Sequence, residues 1–366
     1  MLDNLNQVDI GTAKKIVHRA FRTMYEQVNS GKKPTIKPLF LHSSPGIGKS
    51  AIIAQVVAQA AQELGVDVGM HDFRLASCEA SDVNGIPYVS HAGDELETMK
   101  FSVPDWFPRD KKSYGILFFD ELSNAPIAVQ HAAYRIIYDR ELHDGMRLPD
   151  GWMVVAAGNL KKDKTGVKGI APALANRFGS HLYIRPDIEA FTAYAMKSGI
   201  HQHVIGFLNF NREAIYRAAI TDEDAFASPR SWEATSGYLY QGYDEDELSI
   251  LLAGCLGKAT AGDFQGFREY YGKLPDMSKI LSGAETYTVK SDNKGLLFAL
   301  TTSLVAACIE NHSNKDRLKN VQKVVKQLDD EFIIFFFKAL RHADISVVNI
   351  MATFVDELKK VQTRIK

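Results

Sequence analysis

Residues 43–50 read SSPGIGKS, a string with the composition of a loop that binds phosphate. In such a loop, consecutive backbone N–H groups point into one small concavity in front of a helix N-terminus. Gly46 and Gly48 leave room for that approach, Lys49 supplies a cation for the β- and γ-phosphates, and the Ser50 hydroxyl supplies a ligand for Mg²⁺. We therefore predict that ATP and Mg²⁺ bind here, with nucleotide contacts from Ser44, Pro45, Gly46, Ile47, Gly48, Lys49, Ser50 and Ala51.

The loop departs from the full pattern G-x-x-x-x-G-K-[ST] at its first position, where Ser43 replaces glycine. A strained backbone at this serine would cost on the order of 1 kcal/mol. We expect at most a weaker nucleotide affinity, because serine is small and the rest of the loop is intact.

A second string, GILFFDE at 115–121, is a continuous apolar run that ends in two acids. Such a run is typical of a strand buried on both faces of a parallel sheet. Asp120 is placed to hold Mg²⁺ through its water shell, and Glu121 is placed to polarise a water molecule for attack on the γ-phosphate.

Three further residues have the types and the order that ATP hydrolysis between subunits requires. Asn159 ends an apolar strand, where its amide would bind the attacking water or the γ-phosphate. Arg177 is a candidate arginine finger for a neighbouring subunit's nucleotide, and Arg230 opens a helix from which it would reach the γ-phosphate. Each residue alone is a weak signal, and their order and spacing are the specific one.

Strands and helices alternate in the first half, which predicts a parallel sheet covered by helices. Hairpins are predicted at 82–108 and 141–150, and after 186 only helical spacing remains, with a joint near 265–290. The predicted strands are 38–42, 71–76, 116–119, 152–157 and 181–184, and the predicted helices of this half are 13–28, 50–61 and 126–140.

The composition limits the partners. Forty-three basic residues oppose 44 acidic ones, so no nucleic acid or anionic membrane is required. The three cysteines are scattered, as in reduced proteins, and the apolar run 332–337 is too short to span a bilayer. We expect a soluble cytoplasmic protein of two or three domains. The basic stretch 161–168 is interpreted as a solvated loop, with a pore-facing contact to nucleic acid as the alternative.

These motifs together resemble the MoxR branch of the AAA+ ATPases, closely over roughly 10–275 and more loosely beyond. The matching strings are PGIGKS, GILFFDE, VQHAAYR, LPDGWMVVAAGN, APALANRF and SPRSWE, with 82–87 similar to the start of the helix-2 insert and 141–150 to the pre-sensor hairpin. The resemblance implies an α/β P-loop core at 1–185, an α-helical lid at 186–272 and a helical C-terminal region at 273–366.

The family also implies a hexameric ring with ATP between subunits, which remodels protein clients beside a partner with a von Willebrand factor A domain. No motif in this chain identifies the client. A nucleic-acid motor or restriction-type subunit is the alternative, and the neutral charge counts against it. A scaffold that binds nucleotide without hydrolysis is disfavoured by the presence of Glu121, Asn159 and Arg177 together.

Overall fold

The computed structural model describes residues 7–90, 98–142, 145–160, 163, 169–218, 224–290, 292–343 and 348–362. The chain forms two compact units, Met1–Arg185 and Pro186–Lys366. No helix among the described residues is both long and apolar enough to cross a bilayer.

The first unit is built on a six-stranded parallel sheet, which confirms the predicted α/β fold. Its strand order is β1-β8-β2-β7-β6-β3, and β4 and β5 form a separate antiparallel pair. The edge strand β1 was not predicted. The strands are β1 (Gln7–Asp9), β2 (Leu39–Ser43), β3 (Val68–Arg74), β4 (Pro87–Ser90), β5 (Thr98–Phe101), β6 (Tyr114–Asp120), β7 (Trp152–Asn159) and β8 (Ser180–Arg185).

Helices cover this sheet. They are α1 (Ile10–Asn29), α2 (Lys49–Leu64), α3 (Ala80–Asn84), α4 (Ile127–Tyr138) and α5 (Pro172–Ala175). Helix α2 runs beyond the predicted 61 to Leu64, where Gly65 ends it: that glycine has a φ of 65°, which closes a helix without the steric cost that a side chain would bring. Strand β3 lies two to three residues earlier than predicted, because a 3₁₀ turn at Leu75–Ser77 ends it.

The central strands are buried on both faces, as their apolar sequences predict. Residues 116–119 of β6 are fully buried, and so is most of β7. The Trp152 ring at the start of β7 lies across Gly69 and Gly115, which are register partners on β3 and β6. A methyl group on either glycine would come within 2.8 Å of the indole, so these strands need glycine at both positions.

The two predicted hairpins differ in extent. Strands β4 and β5 pair from Pro87–Phe101 to Ser90–Thr98, and the tip at 91–97 lies outside the described residues. At 141–150 the described residues form one antiparallel bridge, between Glu141 and Arg147. Residues 143–144 there are outside the described part, and Leu148 N donates to Arg140 O at 2.7 Å.

The second unit is helical, with no strand among its described residues. The helices are α6 (Ile188–Lys197), α7 (Gln202–Phe210), α8 (Pro229–Tyr240), α9 (Glu245–Leu256), α10 (Lys258–Arg268), α11 (Met277–Ser282), α12 (Lys294–Glu310), α13 (Lys315–Val325), α14 (Asp330–His342), α15 (Val348–Thr353) and α16 (Val355–Val361). Helices on both sides of 272 share one hydrophobic core. The division into a lid and a C-terminal region stays a prediction.

Candidate active site

Three neighbouring strand ends form the site. In the sheet, β7 lies between β2 and β6, and all three run in the same direction. Ser43, the last residue of β2, is the register partner of Asn159, the last residue of β7. The phosphate loop, Asn159 and the acidic end of β6 therefore meet at the carboxyl edge of the sheet, where open α/β sheets bind ligands.

The backbone of the loop explains its glycines. Gly46 has a φ of 75° and Gly48 a φ of 102°, both in the left-handed region that side chains disfavour. Gly48 is also the N-cap of α2, so the first residue of that helix is Lys49. The loop thus leads directly into a helix N-terminus, the backbone arrangement that binds phosphate.

Lys49 is held inside the loop. Its side chain is almost fully buried, with a residue exposure of 8%. The Nζ atom lies 3.0 Å from Ser43 Oγ, 3.3 Å from Ser43 O, 3.4 Å from Ser44 O and 3.0 Å from Asn159 Oδ1. These four oxygens are acceptors without a full charge, and they contribute to the compensation of the buried cation.

Ser43 does not have the strained backbone that its departure from the glycine pattern raised as a concern. It is the extended end of β2, and the non-glycine residues with positive φ in the described chain are Glu121 and Arg140. Its hydroxyl donates to Ser44 O at 2.9 Å and accepts from Lys49. The serine therefore adds an oxygen ligand for the lysine that glycine would lack.

Ser50 and Asp120, the two predicted Mg²⁺ ligands, lie side by side. Ser50 Oγ donates to Asp120 Oδ2 at 2.6 Å, and Glu121 N donates to Asp120 Oδ1 at 2.8 Å. A hydroxyl and a carboxylate side by side form a hard-oxygen donor set of the kind that Mg²⁺ prefers beside phosphates. The two residues therefore fit Mg²⁺.

Glu121 has a φ of 57°, a left-handed conformation that costs a side-chain-bearing residue about 1 kcal/mol. The residues around it hold that conformation. Leu122 N donates to Ala157 O at 2.9 Å, and Asn124 N donates to Glu121 O at 2.9 Å. Strained backbone of this kind is concentrated at functional sites, where it sets the direction of a side chain.

The turn after β6 also positions Asn159. Ser123 Oγ accepts a hydrogen bond from Asn159 N at 3.0 Å. Gly158 makes this approach possible, because a methyl group there would lie 2.7 Å from Ser123 Oγ. The asparagine side chain meanwhile contacts Lys49. Asn159 therefore links the phosphate loop to the acidic turn.

Two carboxylates near the site were missed by sequence reasoning. Asp163 Oδ1 accepts from Ser44 Oγ at 3.0 Å, and its Oδ2 is buried without a hydrogen-bond partner. It belongs to the basic stretch 161–168, whose other members lie outside the described residues. Asp72 lies on β3, and burial raises the pKa of its carboxyl, as do the negative charges of Asp120 and Glu121. No local pattern reveals either residue, since both depend on contacts between distant segments.

Arg177 follows α5 and packs against α4. Its guanidinium carbon lies 3.6 Å from the ring centre of Tyr134 and 4.8 Å from that of Tyr138. Its Nη1 atom lies 3.5 Å from Asp139 Oδ2, without the alignment of a hydrogen bond. The arginine is thus held in a defined place, and its role as a finger stays a prediction.

Arg230 is in the second unit, in the first turn of α8. Ser228 caps this helix and forms a reciprocal capping box with Ser231. The arginine itself is exposed. Its predicted contact with the γ-phosphate stays a prediction.

Comparisons with known proteins give weak similarities. No protein-family model matches the sequence, and no curated protein matches it. A candidate ATPase from Cytophaga hutchinsonii is 13% identical over 92% of this chain and 98% of its own, with a TM-score of 0.33. PCH-2 of C. elegans is 12% identical over 80% and 67%, with a TM-score of 0.33. A RuvB mutant of Thermotoga maritima is 12% identical over 95% and 88%, with a TM-score of 0.30.

Proposed function

We propose that the chain is a Mg²⁺-dependent ATPase of the AAA+ type. The observation that carries this proposal is the meeting of five predicted residues at one edge of the parallel sheet, four through their side chains and Glu121 through its backbone N–H. They are Lys49, Ser50, Asp120, Glu121 and Asn159. These residues lie on or just after the ends of three strands, in segments that are far apart in sequence, so their meeting is not a consequence of local sequence.

Each residue has a separate task in hydrolysis. When ATP binds, its phosphate oxygens would accept hydrogen bonds from Lys49 in place of acceptors such as Ser43 and Asn159. Ser50 and Asp120 would hold Mg²⁺, which neutralises charge on the phosphates. Glu121 orients and polarises the attacking water, while the Asn159 amide offers a second polar contact near the γ-phosphate.

We propose further that the protein works as a ring, most simply a hexamer, of the MoxR branch. Arg177 supports this, because its guanidinium contacts Tyr134 on α4 and Asp139 just after that helix. An arginine placed in this way can complete the site of a neighbouring subunit. The ring would use ATP hydrolysis to remodel a protein client. A protein with a von Willebrand factor A domain is the proposed partner.

The β4–β5 hairpin is the proposed contact for that client. Ile86 before the hairpin is 64% exposed and Met99 is 68% exposed, and Val89 opposite Met99 is also exposed. Exposed apolar groups on a two-stranded element have little structural use, since such a hairpin is marginal without a packing partner. A protein surface would cover them.

The test of this function is nucleotide binding and turnover in matched variants. Lys49→Ala should abolish ATP binding in titration calorimetry, because no other side chain of the loop brings a cation to the phosphates. Lys14→Ala is the control, since Lys14 bonds Gln55 between α1 and α2 and is not part of the site. Unchanged ATP affinity in Lys49→Ala would refute the proposal. Hydrolysis stimulated by nucleic acid, with steep salt dependence, would favour the motor alternative.

A further inference from the structure

Two histidines connect the phosphate loop to the turn that carries Arg177. His42 lies on β2, immediately before Ser43, and His181 lies on the neighbouring strand β8. His42 Nε2 and His181 Nδ1 are 2.8 Å apart, and His181 Nε2 lies 3.0 Å from Ala175 O at the end of α5. The hydrogen bonds therefore run without a gap from the start of the loop to α5.

The donor of each hydrogen bond in this series, between the two histidines and between His181 and Ala175, can be assigned. A carbonyl oxygen only accepts, so the proton facing Ala175 must be on His181 Nε2. Burial lowers the pKa of His42 to about 3, with smaller effects from His181 and Lys49, so this ring is neutral at physiological pH. In the His181 tautomer that carries its single proton on Nε2, the Nδ1 atom is an acceptor, and His42 Nε2 donates to it. Both hydrogen bonds are then donated in the same direction, from β2 through β8 to α5.

The turn around Arg177 is joined to β2 at two more points. Phe178 stacks on Phe40, with ring centres 4.9 Å apart and an angle of 21° between the rings. Gly179 N donates to Pro38 O at 2.8 Å. Pro38 and Phe40 lie before and near the start of β2, so a movement of this strand as a whole would carry the turn with it.

At the β2 end of this series of hydrogen bonds, the residue after His42 contacts Lys49. Ser43 follows His42 directly and accepts from Lys49 through both its hydroxyl and its carbonyl. A bound triphosphate competes for the same ammonium group. Nucleotide binding thus changes the contacts of the residue that adjoins His42.

We infer that His42 and His181 are positioning residues, which couple a subunit's own phosphate loop to the placement of Arg177 on the neighbouring subunit's nucleotide. This inference rests on the proposed function, because it requires Arg177 to act in trans. Its consequence is cooperativity between adjacent sites of the ring. Coupling between two sites is typically worth about 5-fold to 150-fold in affinity.

The experiment uses variants that keep the aromatic packing and remove the hydrogen bonds. His42→Phe retains a ring to stack on Tyr183, whose ring centre is 4.5 Å away, but has no donor. His181→Phe retains the packing with Phe40 and Phe178. Each should leave the ATP dissociation constant within about twofold, lower kcat about fivefold or more, and reduce the Hill coefficient for ATP towards 1.

Three comparisons separate coupling from general damage. His42→Gln restores a donor and should recover cooperativity, whereas Tyr183→Phe keeps the stacking partner of His42 and should behave as wild type. The double variant of His42 and His181 should be no worse than the more damaged single variant, because both belong to one chain of bonds. If His42→Phe does not fold, His181→Phe and the glutamine variant still provide the test.

The possible failures can be told apart. If Arg177→Ala is inactive but both phenylalanine variants keep kcat and cooperativity, the coupling inference is wrong and the proposed ATPase stands. If the phenylalanine variants lose ATP affinity in parallel with melting temperature, the histidines are structural and the inference is again wrong. If wild type neither binds nor hydrolyses ATP, both proposals fall together.

Discussion

Ser44 Oγ and Asp163 Oδ1 are 3.0 Å apart, so a residue of the phosphate loop is bonded to a carboxylate 119 positions later in the chain. The second oxygen of that carboxylate is buried without a hydrogen-bond partner. A negative charge beside a loop that binds anions opposes binding. Under the proposed function, Asp163 would therefore restrain the loop and weaken its affinity for ATP.

The first prediction follows from this contact. Asp163→Asn keeps an oxygen for Ser44 and removes the charge, so ATP should bind roughly threefold or more tightly in titration calorimetry at low salt. Asp110→Asn is the control, because Asp110 precedes β6 and so lies at the opposite edge of the sheet. Equal or weaker ATP binding by Asp163→Asn would contradict a repulsive role.

The second prediction concerns the strained Glu121. Glu121→Gln should still bind ATP but turn it over roughly 10²-fold more slowly, since an amide is a poor base. Glu121→Gly should also be inactive, but its free energy of unfolding should be about 1 kcal/mol larger than that of wild type, because glycine accepts the φ of 57° without strain. Asp120→Asn should instead raise the Mg²⁺ concentration required. Wild-type turnover in Glu121→Gln would rule out Glu121 as the general base.

The third prediction tests Arg177 across subunits. Arg177→Ala should bind ATP normally and hydrolyse it poorly, because a finger acts on the neighbour's nucleotide. Mixing it with Lys49→Ala should restore part of the activity, since some interfaces then combine an intact loop with an intact finger. Once subunit exchange is confirmed, mixed rings no more active than either variant alone would argue against action in trans.

The fourth prediction is acid sensitivity from buried neutral histidines. Burial lowers the pKa of His42 to about 3, of His201 to about 4 and of His203 to about 3. Below their ordinary pKa near 6.5, the unfolded chain takes up protons that the folded chain does not, so stability falls as pH falls from about 6.5 towards 4. Each group contributes at most about 1.4 kcal/mol per pH unit.

Chemical denaturation at pH 7, 6 and 5 measures this slope. His42→Gln should make the slope of the first unit's transition shallower, because it removes one of these groups. Tyr183→Phe contacts the same ring and carries no group that titrates in this range, so it should keep the wild-type slope. The same slope in His42→Gln as in wild type would show that His42 is charged in the folded state or contributes nothing.

The fifth prediction concerns the β4–β5 hairpin. Replacement of 90–97 by a short Gly-Ser turn should leave basal ATP hydrolysis and assembly intact, because these residues are remote in sequence from every predicted site residue. Hydrolysis coupled to a partner should be lost, as measured by partner-stimulated turnover. Loss of assembly in size-exclusion chromatography would instead make the insert a structural brace.

The sequence alone determined the local chemistry of the site. Gly46 and Gly48 were predicted to leave room for phosphate, and their positive φ is a second reason for glycine, because only glycine adopts it without steric cost. The apolar run before Asp120 predicted a buried parallel strand, because such strands lack alternation. Both features depend on interactions within a few residues; the buried strand is confirmed, and the contact of the loop with phosphate stays a prediction.

The tertiary structure decided which of these pieces meet. The position of β7 between β2 and β6 brings Asn159 to Lys49, and no local pattern specifies that order of strands. The contacts of Asp163 and of the pair His42–His181 could not be predicted from the sequence for the same reason, since the residues they join are far apart in the chain. Side-chain hydrogen bonds between distant segments depend on sheet register, and register is set by packing of the whole core.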